Sequence, residues 1–259
     1  MPQFIHETAI IGPKAKIGAD CYIGAFSVIG NEVTLGDRVH LESHVVIDGK
    51  TSIGEDTRIF PFVSIGFAPQ DLKYAGEPTA TEIGKRNHIR EFVTIHRGTA
   101  GGGGLTSIGD DNLFMAQAHV AHDCQLGNEI IMANAATLAG HVEIADRANV
   151  GAYSGVHQFC RVGKEAFIGG YSVVVKDAPP FAIIQGNHAK CFGLNRVGMK
   201  RRGYTEETIK KLHHAYHLLL SAKLNTTQAV EKITEDISGC AEVDILIAFI
   251  ESSKRGIVK

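Results

Sequence analysis

Histidine is the residue type through which this chain could do chemistry. There are 13 histidines, and His96, His119, His122, His141 and His157 crowd into one stretch. Imidazole titrates near pH 6.5, so it can accept and return a proton at neutral pH. A positioned general base typically contributes roughly 10²–10⁴-fold to a rate. Asp123 follows His122, Gly140 precedes His141, and Gln158 follows His157. These are the parts of an acyl transfer: His122 as base, Asp123 as its orienting carboxylate, and the unshielded Gly140 amide as oxyanion donor. An open zinc site with His119 and His122 as ligands is the competing chemistry. Their separation by three residues tends to put them on opposite sides of a strand, which favours acyl transfer.

Residues so far apart in sequence can cooperate only if the fold stacks them, and the apolar pattern supplies the stacking. A large apolar residue returns every sixth position at Ile11, Ile17, Ile23, Ile29, Leu35, Leu41, Ile47, Ile53, Ile59 and Ile65. The phase survives to Ile83, Ile89 and Ile95, slips by one, and resumes from Ile108 to Val174. Six matches neither the helical 3.6 nor the heptad. It fits a chain that runs straight, turns a corner and repeats, as in hexapeptide-repeat parallel β-helices. The leader is often followed by glycine, as at Gly12, Gly18, Gly24, Gly127 and Gly163, which suits the backbone angles and close approach of a corner. Residues two before the next leader, such as Ala15, Ser27 and Val33, should point inward with it. A β-sandwich offers no reason to hold phase across a long loop. Three hexads per turn give a triangular coil of roughly 18 residues. In that coil His122, Gly140 and Gln158 share one slot and stack about 4.8 Å apart, with His141 and His157 beside them.

The pattern ends near Pro179 and Pro180. Beyond it, Thr205 can cap a helix with Ile209, Leu212, Tyr216 and Leu219 on one face. Thr226 can cap a second helix, and Val243 to Ile250 suggests a third that Gly256 ends. The expected organisation is a β-helix over 1–190 and a small helical domain over 191–259. Net charge is -2 with a pI near 6.7, so no basic field points to nucleic acid. The five cysteines are scattered without a CxxC pair, which suits a reducing compartment. No signal peptide or membrane-spanning segment is apparent.

Two excursions interrupt the coil. Phe67 to Glu82 mixes Gln70, Asp71 and Lys73, a polar set suited to substrate contact. Gly98 to Ser107 holds the glycine run Gly101 to Gly104. It lacks the GK[ST] of a phosphate loop and is expected to be a flexible loop.

Dense local motifs then carry a resemblance over nearly the whole chain. They include Asp71-Leu72-Lys73-Tyr74-Ala75-Gly76-Glu77-Pro78-Thr79, Ala118-His119-Val120-Ala121-His122-Asp123-Cys124 and Ala136-Thr137-Leu138-Ala139-Gly140-His141-Val142. Val156-His157-Gln158-Phe159-Cys160, Gln185-Gly186-Asn187-His188-Ala189 and Lys200-Arg201-Arg202-Gly203 add to them. The sequence resembles the UDP-N-acetylglucosamine O-acyltransferases that begin lipid A biosynthesis. That resemblance implies a mainly β fold: a left-handed parallel β-helix of hexapeptide repeats, then a C-terminal α-helical domain. It implies a cytoplasmic homotrimer that moves an (R)-3-hydroxyacyl chain from acyl carrier protein to the glucosamine 3-position of UDP-N-acetylglucosamine. No cofactor or metal is implied, since the donor is a phosphopantetheine thioester.

By the same resemblance His122 is the base, Asp123 its partner and Gly140 the oxyanion donor. Gln70, Asp71 and Lys73 hold the sugar and acyl group, and His119, His141, Gln158 and His188 match further site positions. Asn195 and Arg201 match residues near the uridine diphosphate, and Gly170 a position that limits acyl length. The clustered His96 and His157 complete the expected substrate-binding set. Val197 departs from the family by replacing an acidic residue near the nucleotide. Lys200, Arg201, Arg202, Lys210 and Lys211 are candidates to meet the acidic carrier protein. Rival readings are an acyltransferase that uses acetyl-CoA, an N-acyltransferase of the same pathway, a zinc hydratase and a non-catalytic coil.

Overall fold

The structure is a computed structural model that describes residues 2–220 and 224–259. Short parallel strands, most of two residues, wind into three sheets of 11, 9 and 8 strands. Each sheet is one face of a triangular prism. Successive coils pair in register: His119 with Thr137, Thr137 with Gly155, Gly155 with Val173. The leaders Ile23, Ile47, Ile65, Ile95, Val120, Leu138 and Val156 all lie buried in one core. Each contributes roughly 1.5–3 kcal/mol of gross apolar transfer, offset by the entropy of ordering its coil.

The corners depart from the expectation in one respect. Except at Gly66 (φ +79°), where the first excursion leaves the coil, the glycine after the leader does not take left-handed angles. That conformation falls two residues later, on non-glycine residues such as Asp20, Phe26, Arg38, His44, Asp123 and His141. Glycine is needed after the leader for space: a Cβ at Gly18 would come within 2.5 Å of the Gly36 carbonyl carbon. The left-handed residues stack between coils, so each corner acquires a character. The first corner carries aromatic rings, with Phe26, His44, Phe62 and Phe92 in contact and then Tyr153 stacked on Tyr171. The third alternates charge, pairing Arg38 with Asp56, Arg86 with Asp111 and Arg147 with Glu129. The second corner carries both excursions and the histidines.

Winding continues past the two prolines. The strand Ala182–Gln185 adds to the first face and then pairs antiparallel with Lys190–Leu194, so this hairpin spans residues 190 and 191. Four helices follow: α1 (Arg196–Arg201), α2 (Glu206–Leu220), α3 (Thr226–Asp236) and α4 (Ala241–Glu251). Helix α1 was not foreseen. Thr205 Oγ1 accepts from the Thr208 N–H at 3.1 Å, as a cap should. Helix α3, expected to be capped by Thr226, is capped by Asn225 through a capping box with Gln228. The last helix ends at Ser252. Gly256, with φ +71°, instead turns the tail beyond it. That tail lies along the second corner: Asp177 N–H donates to the Gly256 carbonyl at 3.0 Å, and Val258 N–H to the Asp177 carbonyl at 2.8 Å. No helix among the described residues is long and apolar enough to cross a membrane.

Candidate active site

His122, Gly140 and Gln158 occupy the same corner slot on three successive coils, as the spacing requires. The left-handed angle at Asp123 (φ +60°) folds its carboxylate back beside His122. A straight strand would have pointed the two apart. His122 Nδ1 lies 2.8 Å from Asp123 Oδ2. An ionised carboxylate only accepts, so Nδ1 carries the proton in this bond and the Nε2 of the neutral ring is left bare. Asp123 is 4 % exposed and is held from its other side as well. It accepts from the Thr99 N–H at 2.9 Å and the Thr99 hydroxyl at 2.6 Å. Its own N–H donates to Thr106 Oγ1 at 2.8 Å.

The glycine run has a clear task here. Ala100–Gly102 forms a 3₁₀ turn capped by Thr99, and this turn closes over the Asp123 carboxylate. A Cβ on Gly102 would overlap that carboxylate, and one on Gly98 would press on it at 2.8 Å. The expectation of a flexible loop is replaced by a built cradle. Gly101 and Gly103, by contrast, have open space around them.

Bare Nε2 faces Gly140. A Cβ there would lie 2.7 Å from His122 Nε2, so glycine makes room for the imidazole as well as exposing backbone. The Gly140 N–H donates to no acceptor among the described residues. This follows from its place in the hexad, two after the leader, where proline stands at Pro13 and Pro61. Proline has no N–H to satisfy. On the third corner the equivalent N–H is capped from the next coil, by Asp37 at Ala19 and by Asn128 at Asp110, both 2.8 Å. Above Gly140 the next coil brings Gln158 and no such bond. A bare base and a free N–H thus sit one coil apart.

The surrounding histidines are neutral and directed. His141 stands edge-on to His122, centroids 5.1 Å apart, and its Nε2 is 3.8 Å from Asp123 Oδ2. Burial lowers its pKa, against the pull of Asp123 and of Asp71. Asp71 belongs to the first excursion. Asp71 also accepts from the Lys73 N–H at 3.0 Å, which turns the loop. Gln70 and Lys73 side chains stand in solvent. His119 projects from the second face and is bonded to Thr94 Oγ1 at 2.7 Å. Burial first, then His96 and His122, push its pKa down to about 4. His96 lies behind it, edge-on at 5.1 Å, 7 % exposed with Nδ1 unpartnered.

A cleft of about 480 Å³ adjoins this cluster, lined by Asp123, His141, Phe159 and Arg255 among others. His157 lies near it, 3.4 Å from Arg255. A second cleft, of about 420 Å³, gathers Asn195, Arg201, Arg202, Val197 and Phe167. Asn195 there caps α1. Arg202 is tied to the buried Glu165 at 3.0 Å, a carboxylate whose pKa burial raises. Within one chain this cleft is separate from the His122 cluster. Gly170 sits on the first corner, where a Cβ would meet the Ala152 carbonyl oxygen at 3.3 Å, and His188 lies beyond Gln158 in another cleft. Lys200 is paired with Glu206 and Lys211 with Glu207, both at the surface. The one group with metal-ligand spacing among the described residues is His122, Asp123 and His141, with ligand atoms within 4.8 Å of one another. His119 is not part of it. Both Asp123 oxygens and His122 Nδ1 already take part in hydrogen bonds.

These features define a class: a transferase of hexapeptide repeats wound as a left-handed parallel β-helix. Residues 14–49 match the six-repeat bacterial transferase hexapeptide family. Residues 177–258 match the second domain of the UDP-N-acetylglucosamine O-acyltransferases. LpxA from Acinetobacter baumannii is 45% identical with a TM-score of 0.97, over 99% of this chain and 100% of that one. The UDP-N-acetylglucosamine acyltransferase of Bacteroides fragilis 9343 is 40% identical at a TM-score of 0.97 over the same shares. The Arabidopsis enzyme of that name is 33% identical at 0.88, again over 99% and 100%. The chain belongs to the UDP-N-acetylglucosamine acyltransferase family and is an acyltransferase.

Proposed function

We propose that the protein transfers an (R)-3-hydroxyacyl group from acyl carrier protein to the 3-hydroxyl of the glucosamine in UDP-N-acetylglucosamine, the first step of lipid A biosynthesis. The observation that carries this reading is the pairing of a bare His122 Nε2 with the free Gly140 N–H. The sugar hydroxyl gives its proton to Nε2 as its oxygen attacks the thioester carbon. The carbonyl oxygen gathers negative charge against the Gly140 N–H. Asp123 stabilises the imidazolium that forms. The C–S bond then breaks and the proton passes from His122 to the departing thiolate. This scheme calls for no cofactor and no covalent enzyme intermediate.

Gln70, Asp71 and Lys73 have a site for the sugar on their exposed loop, and His119, His141 and Gln158 stand around the reacting atoms. Asn195 and Arg201 hold the uridine diphosphate. Their distance from His122 within one chain supports a homotrimer whose sites lie between neighbours. The exposed aromatic first corner, with Phe26 at 56%, Phe62 at 49% and Phe92 at 54% exposure, supports that assembly too, since a soluble chain rarely leaves such a stripe uncovered. Net charge near neutrality and five free cysteines, four of them buried, suit a cytoplasmic enzyme. The β-helix with its closing hairpin, through Leu194, supplies the chemistry, and the helices from Arg196 onward meet nucleotide and carrier.

The test is a side-by-side assay of (R)-3-hydroxyacyl carrier protein and acetyl-CoA as donors to UDP-N-acetylglucosamine, read by mass spectrometry. A 3-O-acylated nucleotide sugar from the carrier-protein donor is expected. Transfer from CoA alone, or no acylated sugar, overturns the reading.

A further inference from the structure

Asp123 is held differently from the other carboxylates at the corners of the coil. On the third corner the left-handed Asp56 and Asp111 each face an arginine, Arg38 and Arg86, both at 2.7 Å. Among the described residues no arginine or lysine lies within 4.0 Å of Asp123, whose ionisable partners are His122 and His141. Thr99 stands where a cation would. Its N–H donates to Oδ1 at 2.9 Å and its hydroxyl to Oδ2 at 2.6 Å, a two-pronged clamp that fixes the plane of the carboxylate. Oδ2 is also the atom that accepts from His122 Nδ1 at 2.8 Å, and His141 Nε2 lies 3.8 Å from it. Held by Oδ1 alone, the carboxylate would be free to turn Oδ2 away from His122.

The hydroxyl is not what builds the loop. The turn at Ala100–Gly102 closes on the Thr99 carbonyl, which accepts from the Gly102 N–H at 3.0 Å and the Gly104 N–H at 2.8 Å. Any residue supplies that carbonyl. The hydroxyl adds only a second acceptor for the Gly102 N–H, at 3.2 Å. The Thr99 backbone is extended, with φ -118° and ψ 153°, where valine sits as readily as threonine. What valine lacks at this buried position is the donor to Oδ2. A cation would supply a donor too, but it would offset the negative charge that stabilises the imidazolium. A neutral hydroxyl holds the carboxylate and leaves its charge to His122.

We propose that Thr99 is a positioning residue of the site: its N–H and hydroxyl clamp the Asp123 carboxylate so that Oδ2 meets His122 Nδ1. Thr99 acts through Asp123 alone and touches no reacting atom. The inference rests on the acyl-transfer reading of His122 and Asp123.

The experiment is a double-mutant cycle on the full chain with Thr99→Val and Asp123→Asn, read by steady-state transfer from (R)-3-hydroxyacyl carrier protein to UDP-N-acetylglucosamine. Thr99→Val alone should lower kcat by roughly tenfold or more, the cost of a reacting group misplaced rather than lost. KM for the nucleotide sugar should stay near the parent's. In the Asp123→Asn background the same substitution should change kcat by less than about twofold, because the carboxylate through which Thr99 acts is gone. Thr99→Ser restores the hydroxyl and should stay within about threefold of the parent. Thermal melts check that each variant is folded, and Thr99→Ala runs the same cycle if Thr99→Val is not. A role confined to loop structure would lower kcat by the same factor in both backgrounds, and that result overturns the proposal. A folded Thr99→Val protein turning over at the parent rate overturns it as well. A parent that transfers no acyl group is a distinct result: it overturns the reaction, and this role with it.

Discussion

Replacing Asp123 by Asn tests the proton logic of the site in a single atom. The carboxylate accepts three hydrogen bonds, from Thr99 N–H, Thr99 Oγ1 and His122 Nδ1. An amide can keep the first through its oxygen. Its NH₂ must then face both the Thr99 hydroxyl and His122. The hydroxyl rotates to accept, and so does Nδ1 once it sheds its proton. The His122 tautomer therefore inverts, and Nε2 now carries hydrogen where the sugar hydroxyl needs a bare nitrogen. The fold should survive, because every polar group in the cradle keeps a partner, where an orphaned one would cost about 1–3 kcal/mol. Turnover should fall by roughly 10²–10⁴-fold, the ordinary worth of a general base, with little change in KM for the nucleotide sugar. The assay is steady-state acyl transfer alongside a thermal melt. Turnover within about tenfold of the parent in a folded Asn variant would refute the argument, because the tautomer could not then govern proton removal.

Other consequences are open to direct measurement. Gly102→Val should cut turnover and lower the melting temperature, since its Cβ overlaps the Asp123 carboxylate; Gly101→Ala, with open space, should do neither, and equal effects would contradict the cradle. Burial and its neighbours hold His119 down to about 4, against 6.5 ordinarily. The unfolded chain therefore binds its proton first as pH drops, and this group's stabilisation, full above pH 6.5, is lost progressively down to about pH 4. His119→Gln should flatten that part of the stability-against-pH curve, and an unchanged curve would count against the burial argument. Gly170→Met should move donor preference toward shorter acyl chains, measured on a mixture of donors by mass spectrometry; an unaltered product profile would remove Gly170 from the acyl path.

Much of this was legible in the sequence, because a period of six leaves one geometric solution and the solution dictates neighbours. The stacking of His122, Gly140 and Gln158 is arithmetic on that period. What escaped was set by contacts between elements out of phase with it. Thr99 and Gly102 lie in an excursion that obeys no repeat, so nothing in their spacing points to Asp123. Glycine after the leader was legible as a corner marker, but its reason was half right: space between coils demands it, while Asp20, Phe26 and their counterparts bear the left-handed angles. Asn225 and Thr226 are both good capping residues by type, and only the bond with Gln228 decides for Asn225. The path of the tail, and with it Arg255, depended on the Asp177 backbone and left no trace in composition.

The central claim is that His122 removes the proton, and replacing it by Ala tests that most directly. With assembly checked by native mass, turnover of His122→Ala on carrier-protein donor and UDP-N-acetylglucosamine should fall by about 10²-fold or more while the oligomer matches the parent. An intact His122→Ala protein turning over at nearly the parent rate would contradict the account.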